Sequence, residues 1–227
     1  MEVVKQVALP RERQQQRLTG AARPEQVSAL TELLGRAFIN DPLLHHLEPN
    51  EKWRQRLTPV LYRAVLRYCL RYGQADVTSD GHAVACWLLP RHCQPSLWRE
   101  LRSGMWALPF KARTQALRRL LQFDAAAKAL RLQHAGTEHW YLWALAVDPT
   151  HQRKGHASAL LKTVLTRADR SGEICYLETQ NPANVSLYER FGFQLKGTLD
   201  LSDGVRLHAM RREPQLQQQT AARRASL

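Results

Sequence analysis

The run HWYLWALAV, residues His139–Val147, is apolar along nearly its whole length and stops at Asp148-Pro149. A strand that is apolar on both of its alternating faces belongs inside a sheet covered on each side. The residues after it constrain the layering. Periodicity predicts a helix over 155–170, a strand over 174–179, a short helix over 184–191, and strands over 193–198 and 205–210. Strand, loop, helix, strand, helix, strand, strand reads as an α/β (α+β) arrangement around one mixed sheet.

The first half reads as two helices and a hairpin. Leu30, Leu33, Leu34 and Phe38 recur at helical spacing after Pro24, and Asn40-Asp41-Pro42 breaks that helix. A second helix is expected over 51–72, ended by Gly73. Strands over 75–78 and 82–89 flank the turn Ser79-Asp80-Gly81. Residues 91–134 read as basic amphipathic helix in two pieces separated at Pro109, with Leu117, Leu120, Leu121 and Leu130 as a packing stripe. The Gln/Arg-rich ends, 1–23 and 213–227, read as flexible tails around a single domain over 24–212. The length of 227 residues, with 44% hydrophobic and 23% charged, excludes a wholly disordered, collagen-like or coiled-coil chain.

A net charge of +13 would ordinarily suggest nucleic acid. The excess lies in three places: +3 over 1–23, +7 over 91–134 and +3 over 211–227, the rest being formally neutral. No aromatic-interleaved basic motif accompanies it, so solvated tails and helix faces are favoured over a nucleic-acid partner. Cys69, Cys86, Cys93 and Cys175 form no CxxC pair. That argues against a disulfide scaffold and a four-cysteine zinc site, and for reduced thiols in a cytoplasmic protein with no metal. The sequence holds neither an apolar run of about 18 residues nor an N-terminal apolar signal region, so no membrane involvement is expected.

The chemistry-bearing piece is VDPTHQRKGHA, Val147–Ala157. A strand ends there and a helix begins near Gly155. A helix start leaves backbone N–H groups unpaired and carries partial positive charge, which suits phosphate. Gly155 admits a close oxygen, Ala157 keeps the next turn small, and Arg153, Lys154 and His156 add cationic or polar side chains. This is a pyrophosphate cradle without GxxxxGK[ST] or GxGxxG.

About thirty residues on lies LETQNPANVSLYERFGF, Leu177–Phe193. With the glycine loop, this series resembles the GCN5-related N-acetyltransferase (GNAT) superfamily over about 139–211. AFINDPLLHHLEP, DGHAVACWLLP, EHWYLWALAVDPTHQRKG and YLETQNPANVSLYERFGF are together similar, in order and spacing, to the puromycin N-acetyltransferase-like branch. The resemblance implies a central, mixed, mostly antiparallel twisted sheet flanked by helices. It also implies transfer of an acetyl group from acetyl-CoA, as co-substrate, to a primary amine of a small molecule.

Roles follow residue by residue from that resemblance. The backbone of Leu145, Ala146 and Val147 would pair with pantetheine, with the Leu145 N–H as oxyanion donor. Gln152, Arg153, Lys154, Gly155, His156, Ala157 and Ser158 would meet the pyrophosphate, although Arg153 and Lys154 could equally face solvent. Tyr188 falls where the family carries its general acid; its alternative is packing beside Phe191 and Phe193. Asn184 would bond the cofactor or cap the short helix, and Asn181 reads similarly. Several family members place a glutamate four residues ahead of the oxyanion donor, and here that position is Tyr141. Glu178 is the remaining carboxylate, as a base with a raised pKa, an ammonium anchor or a structural acceptor. His139 is a further titratable candidate. Phe38, Asp41, Trp87 and Trp143 are candidates for the acceptor pocket, the two tryptophans being otherwise ordinary core residues. The basic 91–134 segment would be its wall and would disfavour a polycationic acceptor.

Two other readings stay open. One is a catalytically silent acyl-CoA-binding module, which the missing carboxylate at Tyr141 favours. The other is an acetyltransferase acting on a protein or an RNA-associated amine. A monomer or homodimer would suit any of them.

Overall fold

The structure, a computed structural model, describes residues 19–201 and 204–215. The outer parts of the two expected tails, 1–18 and 216–227, lie outside the described residues. Along the chain come β1 (Thr19–Ala21), α1 (Val27–Phe38), α2 (Pro42–Leu47), α3 (Glu51–Tyr72), β2 (Gln74–Thr78), β3 (Ala83–Leu88), α4 (Leu97–Ser103), α5 (Leu108–Lys111) and α6 (Thr114–Ala135). Then follow β4 (Trp140–Val147), α7 (His156–Ser171), β5 (Cys175–Thr179), α8 (Ala183–Glu189), β6 (Gln194–Asp200) and β7 (Arg206–Arg212). The described strands form one sheet in the order β1-β2-β3-β4-β5-β7-β6, with β4–β5 its parallel pair.

Alternation along the central strands builds the two covered faces. Val84, Cys86, Tyr141 and Tyr176 pack under α1, α3 and α6 with Leu34, Leu66, Tyr68 and Leu130. Ala85, Trp87, Leu142 and Leu177 pack under α7 and α8 with Leu160, Leu161, Val164 and Tyr188. β3 is buried at every position, the expectation for a strand covered on both sides.

Several local expectations need correction. Asn40-Asp41-Pro42 does end α1, but it also starts α2: the Asp41 side chain accepts from the Leu43 N–H at 2.9 Å, and Pro42 takes the first helical position. Thr19–Ala21, assigned to a flexible tail, pairs antiparallel with Thr78–Asp76 as an edge strand. Pro109 does not separate two helices; it sits in the first turn of α5, where its missing N–H costs nothing, and the break before α6 falls at Ala112–Arg113. Gly73 does end α3, though its φ is −138°. Space is the reason, since a Cβ there would lie 2.3 Å from the Trp87 carbonyl oxygen. Leu117, Leu120 and Leu130 of the α6 stripe pack as expected, whereas Leu121 is exposed.

Candidate active site at the split between β4 and β5

β4 and β5 pair at Trp140–Cys175, Tyr141–Tyr176 and Leu142–Leu177, and there the ladder stops. Both strands continue, β4 to Val147 and β5 to Thr179. The β5-facing edge of Trp143–Val147 therefore has no ladder partner among the described residues. A bulge accompanies the parting: Leu142 pairs with Trp87 and Ala144 with Cys86, leaving Trp143 as the extra residue. In consequence Trp143 and Ala144 both turn toward the α1–α3 face, and Leu145 and Val147 toward α7. Open backbone on Leu145, Ala146 and Val147 is what an extended ligand needs to add itself as a strand.

The end of β4 leads straight into the cradle. Asp148 accepts from the Thr150 N–H at 3.0 Å, the Thr150 hydroxyl at 2.6 Å and Arg36 Nη2 at 2.7 Å, pinning the loop to α1. Those bonds, the Thr150 hydroxyl first, hold its carboxyl well below the usual carboxylate range. Gln152, Arg153, Lys154 and Gly155 are exposed, and Arg153 takes φ 62° and Gly155 φ 88°. The first bond of α7 runs from the Ala159 N–H to the Gly155 carbonyl at 3.0 Å. The N–H groups of His156, Ala157 and Ser158 thus have no intrahelical acceptor. A Cβ built on Gly155 meets nothing within 4 Å, so the space before those amides is open. Positive φ, open space, free amides and two flanking cations fit an anionic diphosphate.

Tyr188 and Glu178 flank the split from opposite faces. Tyr188, on α8, is buried in the α7-side core and meets Phe193 edge-on at 5.8 Å between ring centroids. Burial, reinforced by the charge of Asp41, pushes its hydroxyl well above the usual phenol range. It therefore keeps its proton at neutral pH. The packing alternative and the acid alternative describe the same side chain.

Glu178 is paired with Ala209 of β7, one residue beyond the last β4–β5 pair, and its side chain is 3% exposed. Arg131 Nη1 of α6 lies 3.7 Å from its Oε1. Burial pushes the carboxyl up to about 7, against the opposing pull of Arg131 and of the Tyr141 and Tyr176 phenols. The Arg131 guanidinium also stacks 4.3 Å over the Tyr141 ring. Tyr141 thus takes the place expected for a glutamate, while a carboxylate reaches the same face from the neighbouring strand. Glu178 Oε1, Arg131 Nε and the Tyr176 hydroxyl have no hydrogen-bond partner among the described residues. His139 sits beside this group, 5.5 Å from the Tyr176 ring, and burial lowers its imidazole to about 4. A neutral buried imidazole at that value is a poor partner for an amine at neutral pH.

Arg131 lies in the basic 91–134 segment, whose charge suggests a solvated face, yet with Ala127, Leu130 and Ala135 it falls on the buried stripe of α6, the one sequence signal that marks it.

The acceptor candidates divide. Phe38 stacks on Tyr62 at 4.4 Å, and Trp143 meets Tyr68 edge-on at 5.2 Å, both on the α1–α3 face. Asp41, half-buried at the start of α2, acts electrostatically on both the Tyr62 and Tyr188 hydroxyls. It therefore stands near the split. Trp87 is a correction: it is fully buried on the α7 face against Trp140, at 6.4 Å, and lines no acceptor pocket. Asn184 does not cap α8. Its Nδ2 donates to Thr179 Oγ1 at 3.4 Å, and Asn181 Oδ1 accepts from the Ala183 N–H at 3.0 Å instead. No group of three or more His, Cys, Asp or Glu suited to a metal ion occurs among the described residues.

Comparison with known proteins agrees with this geometry. Residues 114–193, from α6 to Phe193, match the model of the Acetyltransferase (GNAT) family. An uncharacterised N-acetyltransferase of Schizosaccharomyces pombe is 27% identical over 204 residues, covering 84% of this chain and 82% of that protein. Among solved structures, a histone acetyltransferase HPA2 and related acetyltransferase from Corynebacterium glutamicum superposes with a TM-score of 0.57 at 22% identity, covering 88% of this chain and 98% of the other. A polyamine N-acetyltransferase of Drosophila melanogaster gives 0.55 at 16% identity, covering 86% and 99%. At such identities the structures speak to the fold, and the fold is the same. Split strands, amide-lined helix start and the match over residues 114–193 agree, and in that stretch the chain is similar to the Acetyltransferase (GNAT) family.

Proposed function

We propose that the chain transfers the acetyl group of acetyl-CoA to a primary amine of a small molecule, by direct attack of the amine on the thioester. The observation that carries this is the parting of β4 and β5 after Leu142–Leu177, directly continuous with the open amides of α7. Leu145–Val147 would hold the pantetheine through their backbone edge. Gln152–Ser158 would hold the diphosphate, with Arg153 and Lys154 nearest in charge, and Asn184 would lie alongside. When bound, acetyl-CoA supplies an activated acyl carbon and a thiolate leaving group.

The chain's own groups supply the rest. A carboxyl at about 7 is divided between its acid and carboxylate forms at neutral pH, so Glu178 can accept a proton from the incoming amine through water. The Tyr188 hydroxyl holds a proton for the departing thiolate. Phe38, Asp41 and Trp143 orient the amine on the α1–α3 face. The four motifs shared with the puromycin N-acetyltransferase-like branch support placing the chain there. Four free, buried cysteines support a reducing, cytoplasmic setting.

Calorimetric titration with acetyl-CoA, with ADP as the anionic control, tests the reading. Strong preference for acetyl-CoA, followed by thiol release with members of an amine panel that includes puromycin, is expected. Binding no tighter than ADP would overturn it. Binding without release for any amine would favour the silent module.

A further inference from the structure

Away from the split, the outer surface of α3, α4 and α5 is basic and aromatic at once. Arg56, Arg63, Arg67 and Arg71 are exposed at spacings that place them on one stripe of α3. The chain after β3 lies along that stripe. Arg71 Nη1 donates to the Arg102 carbonyl of α4, and Arg67 reaches Gly104 at its end. At the other end, Trp53, Arg56 and Val60 of α3 line one cleft with Phe110 and Lys111 of α5. Outward from this base project Leu97, Trp98, Trp106 and Phe110, exposed by 72%, 68%, 62% and 78%. Leu97, Trp98 and Leu101 share one face of α4 by their spacing. Single exposed apolar residues need no explanation, but a run of large ones rimmed by cations marks an interaction surface.

Charge selects the partner. Glu51 is the sole acid of α3, and Glu100 the sole acid between Pro90 and Asp124. Glu100 is half-buried, and burial raises its carboxyl. The occupant must therefore be anionic and must take up bulky aliphatic as well as aromatic side chains. A single-stranded nucleic acid would use the rings and arginines but leave Leu97 and Leu101 in water. A bilayer with anionic headgroups accommodates all of them. We propose that this face docks the chain on an anionic membrane surface, lying on it, with Leu97, Trp98, Trp106 and Phe110 in the headgroup–acyl boundary and the α3 arginines over the phosphates. No described helix is long and apolar enough to cross a membrane, in keeping with a peripheral mode.

The test is co-sedimentation of the full chain with phosphatidylcholine vesicles, with and without about a third phosphatidylserine. Binding only to the anionic vesicles, weakened about tenfold or more by high salt, is expected. W98S/F110S and R63S/R67S should each reduce that binding about tenfold or more, with unchanged thermal melting because these side chains are exposed. Failure to bind either vesicle overturns the proposal, as does undiminished binding by W98S/F110S. Preference for a single-stranded oligonucleotide with no vesicle binding would assign the face to nucleic acid instead.

Discussion

Glu178 of β5 and Arg131 of α6 form an ion pair at 3.7 Å inside the protein, each side chain 3% exposed. The pair sits on the face where the acceptor amine would arrive, and it governs when Glu178 carries charge. The proposed mechanism then fixes a pH profile. The rate should rise with pH through about 7, as Glu178 loses its proton. Arg131 favours the carboxylate, so Arg131→Met should move that limb to higher pH. Glu178→Gln should abolish it. A pH–rate profile of kcat/KM reads both variants, and an unmoved limb in Arg131→Met would separate the pair from the chemistry.

The same pair predicts a stability effect. Burial raises the folded-state pKa of Glu178 above its ordinary value, so its contribution is fully present below about 4.5 and is lost as pH rises through about 7. Denaturant unfolding should show that decline in the native protein and a flatter dependence in Glu178→Gln.

Tyr188→Phe keeps the ring against Phe193 and removes only the hydroxyl. Turnover should fall about a hundredfold or more, with acetyl-CoA affinity nearly unchanged. Steady-state kinetics beside calorimetry checks this. Equal turnover would leave Tyr188 a packing residue.

Gly155 tests the cradle in two grades. Gly155→Ala meets no atom within 4 Å but must hold φ 88°, costing about 1–2 kcal/mol of stability. Gly155→Glu places bulk and negative charge where the diphosphate would lie, and acetyl-CoA binding should be lost. Calorimetry with a thermal melt as control distinguishes lost binding from lost fold.

These sites differ in how plainly the chain announces them. The split and its loop are backbone features, and backbone features leave sequence marks: an apolar strand, Asp148-Pro149 at its end, and a glycine where φ must be positive. Strand Gln74–Thr78 and helix Glu51–Tyr72 were legible for the same reason, being bounded by turn and cap residues. Side-chain partnerships leave fainter marks. Arg131 carries the charge of a surface residue and betrays its burial only by its place on the α6 stripe. Trp87 and Trp143 look alike in sequence yet face opposite sides of the sheet, and the bulge at Trp143 breaks the alternation so that Ala144 shares its face. An extra residue in a ladder has no signature of its own, because it arises from register with a partner strand.

Asp41 serves two purposes that substitution can separate. Its side chain caps α2 through the Leu43 N–H, and its charge stands near the split. Asparagine caps as well as aspartate, so Asp41→Asn should keep stability while removing the charge. At mildly alkaline pH, KM for a cationic amine should then rise up to about fivefold, with KM for a neutral-headed analogue and kcat little changed. Asp41→Ala loses the cap too, and should melt lower by the equivalent of about 1 kcal/mol. A matched pair of acceptors, assayed with both variants, provides the check. A rise in KM confined to Asp41→Ala would mean that Asp41 acts on the acceptor only by holding α2 in place.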